Sequence, residues 1–206
     1  MADIATYIDV SPDFTPEAVA LLKEYCVATA GEEGNAVIFV LQETSRPNRF
    51  VVVETWNVES AFQAHEAAPH TAEFRSRLRA IHNSPYDQRV HHAFAFAGRK
   101  EKSEGLLYVV THVDVPPPRR EETEVLLTAE AARSRADDGN VSYDVYQQNA
   151  PRTNHFTVLA VWKDDAAFAT HQAAPHTRQF REALGPMLGA PYDERLYQLH
   201  RSREID

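Results

Sequence analysis

Apolar positions along the chain fall into short runs, and the runs alternate between a strand-like and a helix-like period. Residues from about Ile4 to Val10 read as a strand. Thr15-Pro16-Glu17 then predicts a helix start, with Thr as N-cap, Pro at the first helical position and an acid in the first turn. That helix ends near Gly31 to Gly34. Ala36 to Glu43 and Arg49 to Trp56 are rich in Val, Ile and Phe and flank the turn-forming Ser45-Arg46-Pro47-Asn48, so they predict a hairpin. A second helical stretch begins near Glu59, is interrupted at Pro69, resumes through Leu78 and gives way to a final strand around Arg89 to Phe96. The order is β-α-β-β-α-β, a ferredoxin-like arrangement.

The same order then recurs, because the chain is a tandem repeat. With Asn48-Arg49-Phe50 laid over Asn154-His155-Phe156, Trp56 falls on Trp162, Phe62 on Phe168 and His65 on His171. Ala67-Ala68-Pro69-His70-Thr71 repeats unbroken as Ala173-Ala174-Pro175-His176-Thr177, followed by Phe74-Arg75 on Phe180-Arg181. Pro85-Tyr86-Asp87 and Arg89 match Pro191-Tyr192-Asp193 and Arg195. After one residue is dropped, Ile8-Asp9-Val10 pairs with Val113-Asp114-Val115, Leu21-Leu22 with Leu126-Leu127, and Gly34-Asn35 with Gly139-Asn140. The expected organisation is a first module over 1–97, a linker over 98–105 that has no apolar residue and glycine at both ends, and a second module over 106–206. One sheet covered by two helices leaves its other face bare. The two sheets are therefore expected to face each other in an intrachain pseudo-dimeric α+β barrel.

Composition narrows the partners. Thirty acidic against 21 basic residues give a net charge of -9, which argues against a nucleic-acid surface or an anionic membrane. No apolar run approaches the roughly 20 residues of a membrane span, and Met1-Ala2-Asp3-Ile4 lacks a secretory signal. The single cysteine, Cys26, rules out an internal disulfide and fits a reducing cytoplasm.

One constellation is present twice: Trp56, His65, His70 and Arg75, then Trp162, His171, His176 and Arg181. A strand ending in Trp, an acid or amide turn, Ala-Phe, a His three residues after that Phe and a second His five later resembles the antibiotic biosynthesis monooxygenase domain. That resemblance implies ferredoxin-like modules pairing into a dimeric barrel, and a family that includes oxygenases active on polyphenolic or quinol-like substrates without metal or flavin. It also includes haem-degrading enzymes, whose pattern resembles Phe, Trp three residues on, then a ligating His ten further. Here the Trp position holds His65 and His171 and the ligand position holds Arg75 and Arg181, so neither half matches.

Cofactor-free oxygenation needs a substrate that supplies the electrons, a base and a stabiliser for the oxyanion. His65 and His171 are the candidate bases, Arg75, Arg181, His70 and His176 the candidate stabilisers, and Trp56 and Trp162 candidate walls for an aromatic ring. Tyr86, Tyr192, Gln42 and Gln147 could orient polar substituents. Each assignment has a structural rival. The tryptophans end apolar strands and suit the core; His65 and His171 suit satisfied buried imidazoles; His70 and His176 could simply open a helical segment. Arg75 and Arg181 could be surface residues or partners of Asp87 and Asp193.

No metal is expected, because residues five apart do not share a helix face and no HExxH or CxxC accompanies them. The partners expected are a small aromatic substrate and molecular oxygen, with further homo-oligomerisation open. Two function classes remain: a cofactor-independent monooxygenase, or a non-catalytic binding or assembly module of the same fold. Tyr7 against His112, Phe39 against Asp144 and Glu54 against Ala160 show that the two halves need not bind the same ligand.

Overall fold

In the computed structural model of the chain, which describes residues 1–96 and 103–200, each repeat builds the same α+β unit. The first runs β1 (Ala2–Asp9), α1 (Thr15–Ala30), β2 (Asn35–Glu43), β3 (Arg49–Trp56), α2 (Glu59–Glu66), α3 (Pro69–Ile81) and β4 (Asp87–Ala95). The second runs β5 (Leu107–Asp114), α4 (Arg120–Ser134), β6 (Asn140–Gln148), β7 (His155–Trp162), α5 (Asp165–Ala173), α6 (Pro175–Leu184) and β8 (Asp193–His200). Most of the expected linker, residues 98–102, lies outside the described residues. Among the described residues no helix is long and apolar enough to cross a membrane.

Within the first unit all pairing is antiparallel, β1 running between β3 and β4 and the β2–β3 hairpin completing the order β4-β1-β3-β2. β5 likewise lies between β7 and β8, with β6 beyond β7. The registers match: Ala2 faces Trp56 as Leu107 faces Trp162, and a bulge interrupts the hairpin between Asn35 and Val37 as between Asn140 and Ser142. In the first unit the apolar stripe of α1, with Leu21, Leu22 and Cys26, meets Phe74, Leu78 and Ile81 of α3 over Val40, Phe50 and Val52 of the sheet. Leu127, Phe180, Leu184, Val145, Phe156 and Val158 do the same in the second.

Two details differ from the sequence expectation. A tight turn at Pro12–Phe14 leads straight into α1, so Phe14 is the N-cap. Thr15 is already inside, its hydroxyl donating to the Pro12 carbonyl at 2.7 Å instead of capping the helix. The predicted helix break at Pro69 is complete: α2 ends, Ala67 and Ala68 intervene, and α3 starts afresh.

Glycine is required at one turn of each unit. Gly34 and Gly139 have φ of 84° and 80°, and a Cβ on either would meet the Cβ of Ala61 or Ala167 at 2.6 Å. Their carbonyls accept from the N–H of Asn57 and Lys163, each at 2.8 Å. The turn thus sets the start of α2 and α5 against the end of the preceding helix, and those short helices carry His65 and His171.

Candidate functional site

The break before Pro69 creates the site. Proline has no N–H with which to continue α2, and Ala68 is extended, so α3 departs in a new direction. His65, in the last turn of α2, and His70, in the first turn of α3, end with ring centroids 5.6 Å apart. In the second unit His171 and His176 are also 5.6 Å apart. A spacing of five would keep the two histidines on different faces of one continuous helix, but the break between α2 and α3 brings them together.

His65 is fully buried. Its ring lies 4.8 Å from Trp56 and 5.7 Å from Tyr25, centroid to centroid. Nδ1 is 2.5 Å from a carboxylate oxygen of Glu32, which sits in the α1–β2 turn, and Nε2 is 2.8 Å from the Tyr25 hydroxyl. Tyr25 also reaches Glu54 Oε1 at 3.1 Å, and the other oxygen of Glu54 accepts from the indole N–H of Trp56 at 2.9 Å. The result is an unbroken polar chain, Glu32, His65, Tyr25, Glu54, Trp56, threaded through an apolar interior. A carboxylate only accepts, so Nδ1 of His65 carries a proton and donates it to Glu32. Burial pushes the Glu54 carboxyl up from its ordinary range, opposed by the nearby His65 and by the hydrogen bonds from Trp56 and Tyr25. Burial, reinforced by the Glu54 charge, pushes the Tyr25 phenol far up.

The second unit keeps part of this. His171 donates to Asp137 at 2.8 Å and its ring lies 4.5 Å from Trp162, as in the first. The rest is rearranged. Ala160 stands where the first unit has Glu54, leaving the buried Trp162 indole N–H with no partner among the described residues, and Glu130 stands where it has Tyr25. His176 bridges Glu130 at 3.2 Å and Asp137 at 3.0 Å. Burial alone would lower the His176 pKa, but the hydrogen bonds to Asp137 and Glu130 outweigh it and raise the value.

Arg75 and Arg181 show a second exchange. Arg75 pairs with Glu66 at 2.5 Å and reaches Gln88 at 3.4 Å, its guanidinium 5.1 Å from the centre of the Tyr86 ring. Arg181 pairs with Glu194 at 3.0 Å, and Gln172 donates to the same carboxylate at 2.9 Å. The acid and the amide have swapped places, since Glu66 aligns with Gln172 and Gln88 with Glu194. Asp87 and Asp193, the partners considered from sequence, are taken by Arg89 and Arg195.

The remaining sequence candidates separate. Trp56 and Trp162 are fully buried and offer no exposed wall. Gln42 is used in its own hairpin, donating to the Pro47 carbonyl at 2.6 Å, and Gln147 donates to Glu124 and to the Thr153 carbonyl. Tyr86 is placed to matter: with Arg75, Leu78, Arg79 and His82 it lines a cavity of about 140 Å³. Its hydroxyl is close enough to Tyr25 and Glu54 for them to act on it electrostatically, and burial pushes its pKa up, with Arg75 opposing. Sequence matching missed Tyr25 and Glu32, and singled out Glu54 only as a difference between the halves. The signal lay in the differences between the repeats, where the loss of a carboxylate at one position accompanies its gain at another.

Glu32, His65 and His70 place one ligand atom each within 4.8 Å of one another, as do Glu130, His171 and His176. Two imidazoles and a carboxylate at such separations have the donor chemistry to hold a divalent cation. In the first unit the Glu32–His65 contact is already a short hydrogen bond, which a cation would have to replace.

The sequence model of a family described as antibiotic biosynthesis monooxygenase matches residues 1–77 and 106–183, covering most of both repeats. "Putative monooxygenase YcnE" of Bacillus subtilis (strain 168) is 31% identical over 88 residues, which is 43% of this chain and 92% of that protein. A solved "Putative monooxygenase" from Fusobacterium nucleatum superposes with a TM-score of 0.81 at 17% identity, covering 97% of this chain and 93% of that one. An "anthrone oxidase-like protein" superposes at 0.80 with 12% identity, over 96% of this chain and 90% of its own. At those identities the two structures share the fold of both repeats.

Proposed function

The chain belongs to the antibiotic biosynthesis monooxygenase family, and from that premise we propose that it is a cofactor-independent monooxygenase of an electron-rich phenolic or quinol-like aromatic, worked by its first module. The observation that carries this reading is the hydrogen-bonded chain from the partly exposed Glu32 through the buried His65 and Tyr25 to the buried Glu54.

The chain has two arrangements with the same number of protons. In one, Glu54 is protonated and donates to Tyr25, Tyr25 donates to Nε2 of His65, and His65 is neutral. In the other, His65 is an imidazolium donating to Glu32 and Tyr25, and Tyr25 donates to an ionised Glu54. A proton therefore passes between Glu54 and His65 by turning the Tyr25 hydroxyl, without any heavy atom moving far. Burial favours the first arrangement by raising Glu54, and Glu32 stays hydrogen-bonded to Nδ1 of His65 in both. A hydrogen-bonded chain of this kind accepts a proton at one end and passes it inward, which is what a base needs, and such bases contribute about 10²–10⁴ in rate.

The reaction needs no reductant from the protein. A quinol with a hydrogen on its ring, plus O2, yields a hydroxyquinone and water: both phenolic O–H bonds break to give two C=O, one ring C–H becomes C–OH with one oxygen of O2, and the second oxygen leaves as water with the two phenolic protons. The substrate is oxidised by four electrons and O2 is the oxidant. Loss of the phenolic proton comes first, because the phenolate gives up electrons far more readily. Tyr86 lines the cavity and lies within electrostatic reach of Tyr25 and Glu54, and in this reading His65 receives the proton through Tyr25, whose hydroxyl already occupies its Nε2. Arg75, over the Tyr86 ring, is placed to hold the oxyanion.

For the second module we propose the other role, binding or assembly. Ala160 and Glu130 remove both inner members of the proton chain, and His176 is held between two carboxylates. Cys26, buried and the single cysteine of the sequence, supports a reducing, cytoplasmic setting. The test is oxygen uptake with a hydroquinone-like substrate. Tyr25→Phe, which cuts the chain, should lower kcat by about 10²-fold or more at unchanged fold, and unchanged kcat would defeat the reading.

A further inference from the structure

The cavity beside Arg75 is small, and it is asymmetric between the modules. It holds about 140 Å³, and a cavity of roughly 150 Å³ is known to suffice for benzene. One aromatic ring fills it; three fused rings would extend beyond it. Its floor is the buried Leu78 side chain and the mostly buried Tyr86 ring, the apolar surface and flat face that a single ring requires.

Its rim is cationic and polar. Arg75 already pairs with Glu66, whereas Arg79 is exposed and has no ion pair among the described residues. His82 uses Nδ1 to reach the Ser84 carbonyl at 2.9 Å, which leaves Nε2 able to accept from a hydroxyl. In the second module the corresponding positions are Gly185 and Leu188, while Arg181, Leu184 and Tyr192 are retained. The floor is thus common to both modules and the charged rim belongs to the first alone.

We propose that the first module binds a single-ring phenol bearing an anionic substituent, of the hydroxybenzoate class, with its carboxylate on Arg79 and a hydroxyl towards His82 and Tyr86. The proposal rests on the oxygenase reading for what happens to this ligand, and on the cavity alone for its binding. Arg79 would then be the residue that selects an acid over a neutral phenol, since guanidinium and carboxylate meet through paired N–H donors.

Gentisate (2,5-dihydroxybenzoate) serves as probe, with hydroquinone as its neutral counterpart and dithranol as a tricyclic one, each titrated calorimetrically into the full-length protein. We expect gentisate to saturate one site per chain, to bind more tightly than either comparator, and to weaken as salt is raised. Arg79→Ala should weaken gentisate about threefold to tenfold and leave hydroquinone unchanged, while Arg79→Glu should all but abolish gentisate binding. Arg79 is exposed, so neither variant threatens the fold, and a thermal melt verifies this. Absence of saturable gentisate binding, tighter binding of dithranol, or indifference to Arg79→Glu would overturn the proposal. Binding as expected without oxygen uptake would uphold it and defeat the oxygenase reading instead.

Discussion

Nε2 of His65 lies 2.8 Å from the hydroxyl of Tyr25, so the histidine that the repeat pattern singles out touches, on its inward side, a residue the second repeat does not possess. The consequences of that contact extend to both ends of the chain it belongs to.

At the inner end, Glu54 is a carboxylate whose pKa is raised by burial. A raised folded value means that its contribution to stability is present below the ordinary value of about 4.3 and is lost as pH rises through the folded value. Glu54→Gln removes the cost of ionising the buried group. The variant should match the wild type at low pH and melt higher than it at pH 8, while losing oxygenase turnover. Equal melting temperatures across this range would show that Glu54 is not strained by burial.

Trp56 and Trp162 are both fully buried, but only Trp56 has an acceptor for its N–H. Replacement by Phe leaves Glu54 short of a donor in the first module and relieves an orphaned donor in the second. Trp56→Phe should therefore cost about 1–3 kcal/mol more than Trp162→Phe in denaturant unfolding. Equal costs would mean that packing alone decides both.

The exchange of acid and amide around Arg75 and Arg181 predicts coupling. Glu66→Gln alone leaves Arg75 without its carboxylate and should cost up to about 1 kcal/mol, since the pair is partly exposed. Adding Gln88→Glu builds the arrangement of the second module and should recover most of that loss. A double-mutant cycle showing additivity would contradict this.

Little of this was visible in the repeat itself. Strand and helix order were legible because apolar residues recur at the right periods and because Pro69, Gly34 and the Ser45–Asn48 turn punctuate them. Matching the halves picks out what is identical, which selects His65, His70 and Arg75. The partners that define their chemistry are non-identical: Tyr25 aligns with Glu130, Glu54 with Ala160, and Glu66 and Gln88 with Gln172 and Glu194. Each module nonetheless holds three carboxylates at its site, Glu32, Glu54 and Glu66 in one and Asp137, Glu130 and Glu194 in the other. Burial tolerates a carboxylate only where donors are at hand, so when one moves another must move with it. Which of the two tryptophans would be satisfied depended on tertiary packing that no single segment encodes.

His176 has its pKa raised, by hydrogen bonds to Asp137 and Glu130 that exceed the opposing effect of burial. Its stabilising contribution is fully present below the unfolded value of about 6.5 and disappears as pH rises through the higher folded value. The melting temperature of the wild type should fall relative to His176→Gln as pH goes from 6 to 9. A constant difference between the two would show that His176 does not titrate in that window.

The most direct test of the account is oxygen consumption with a hydroquinone-like substrate, measured beside thermal melts on the same samples of wild type, His65→Gln and His171→Gln. The account predicts that His65→Gln loses at least about 10²-fold in kcat while still folded, and that His171→Gln keeps nearly full specific activity. Full specific activity in folded His65→Gln, or loss in step with the folded fraction alone, would contradict it and leave His65 a structural imidazole.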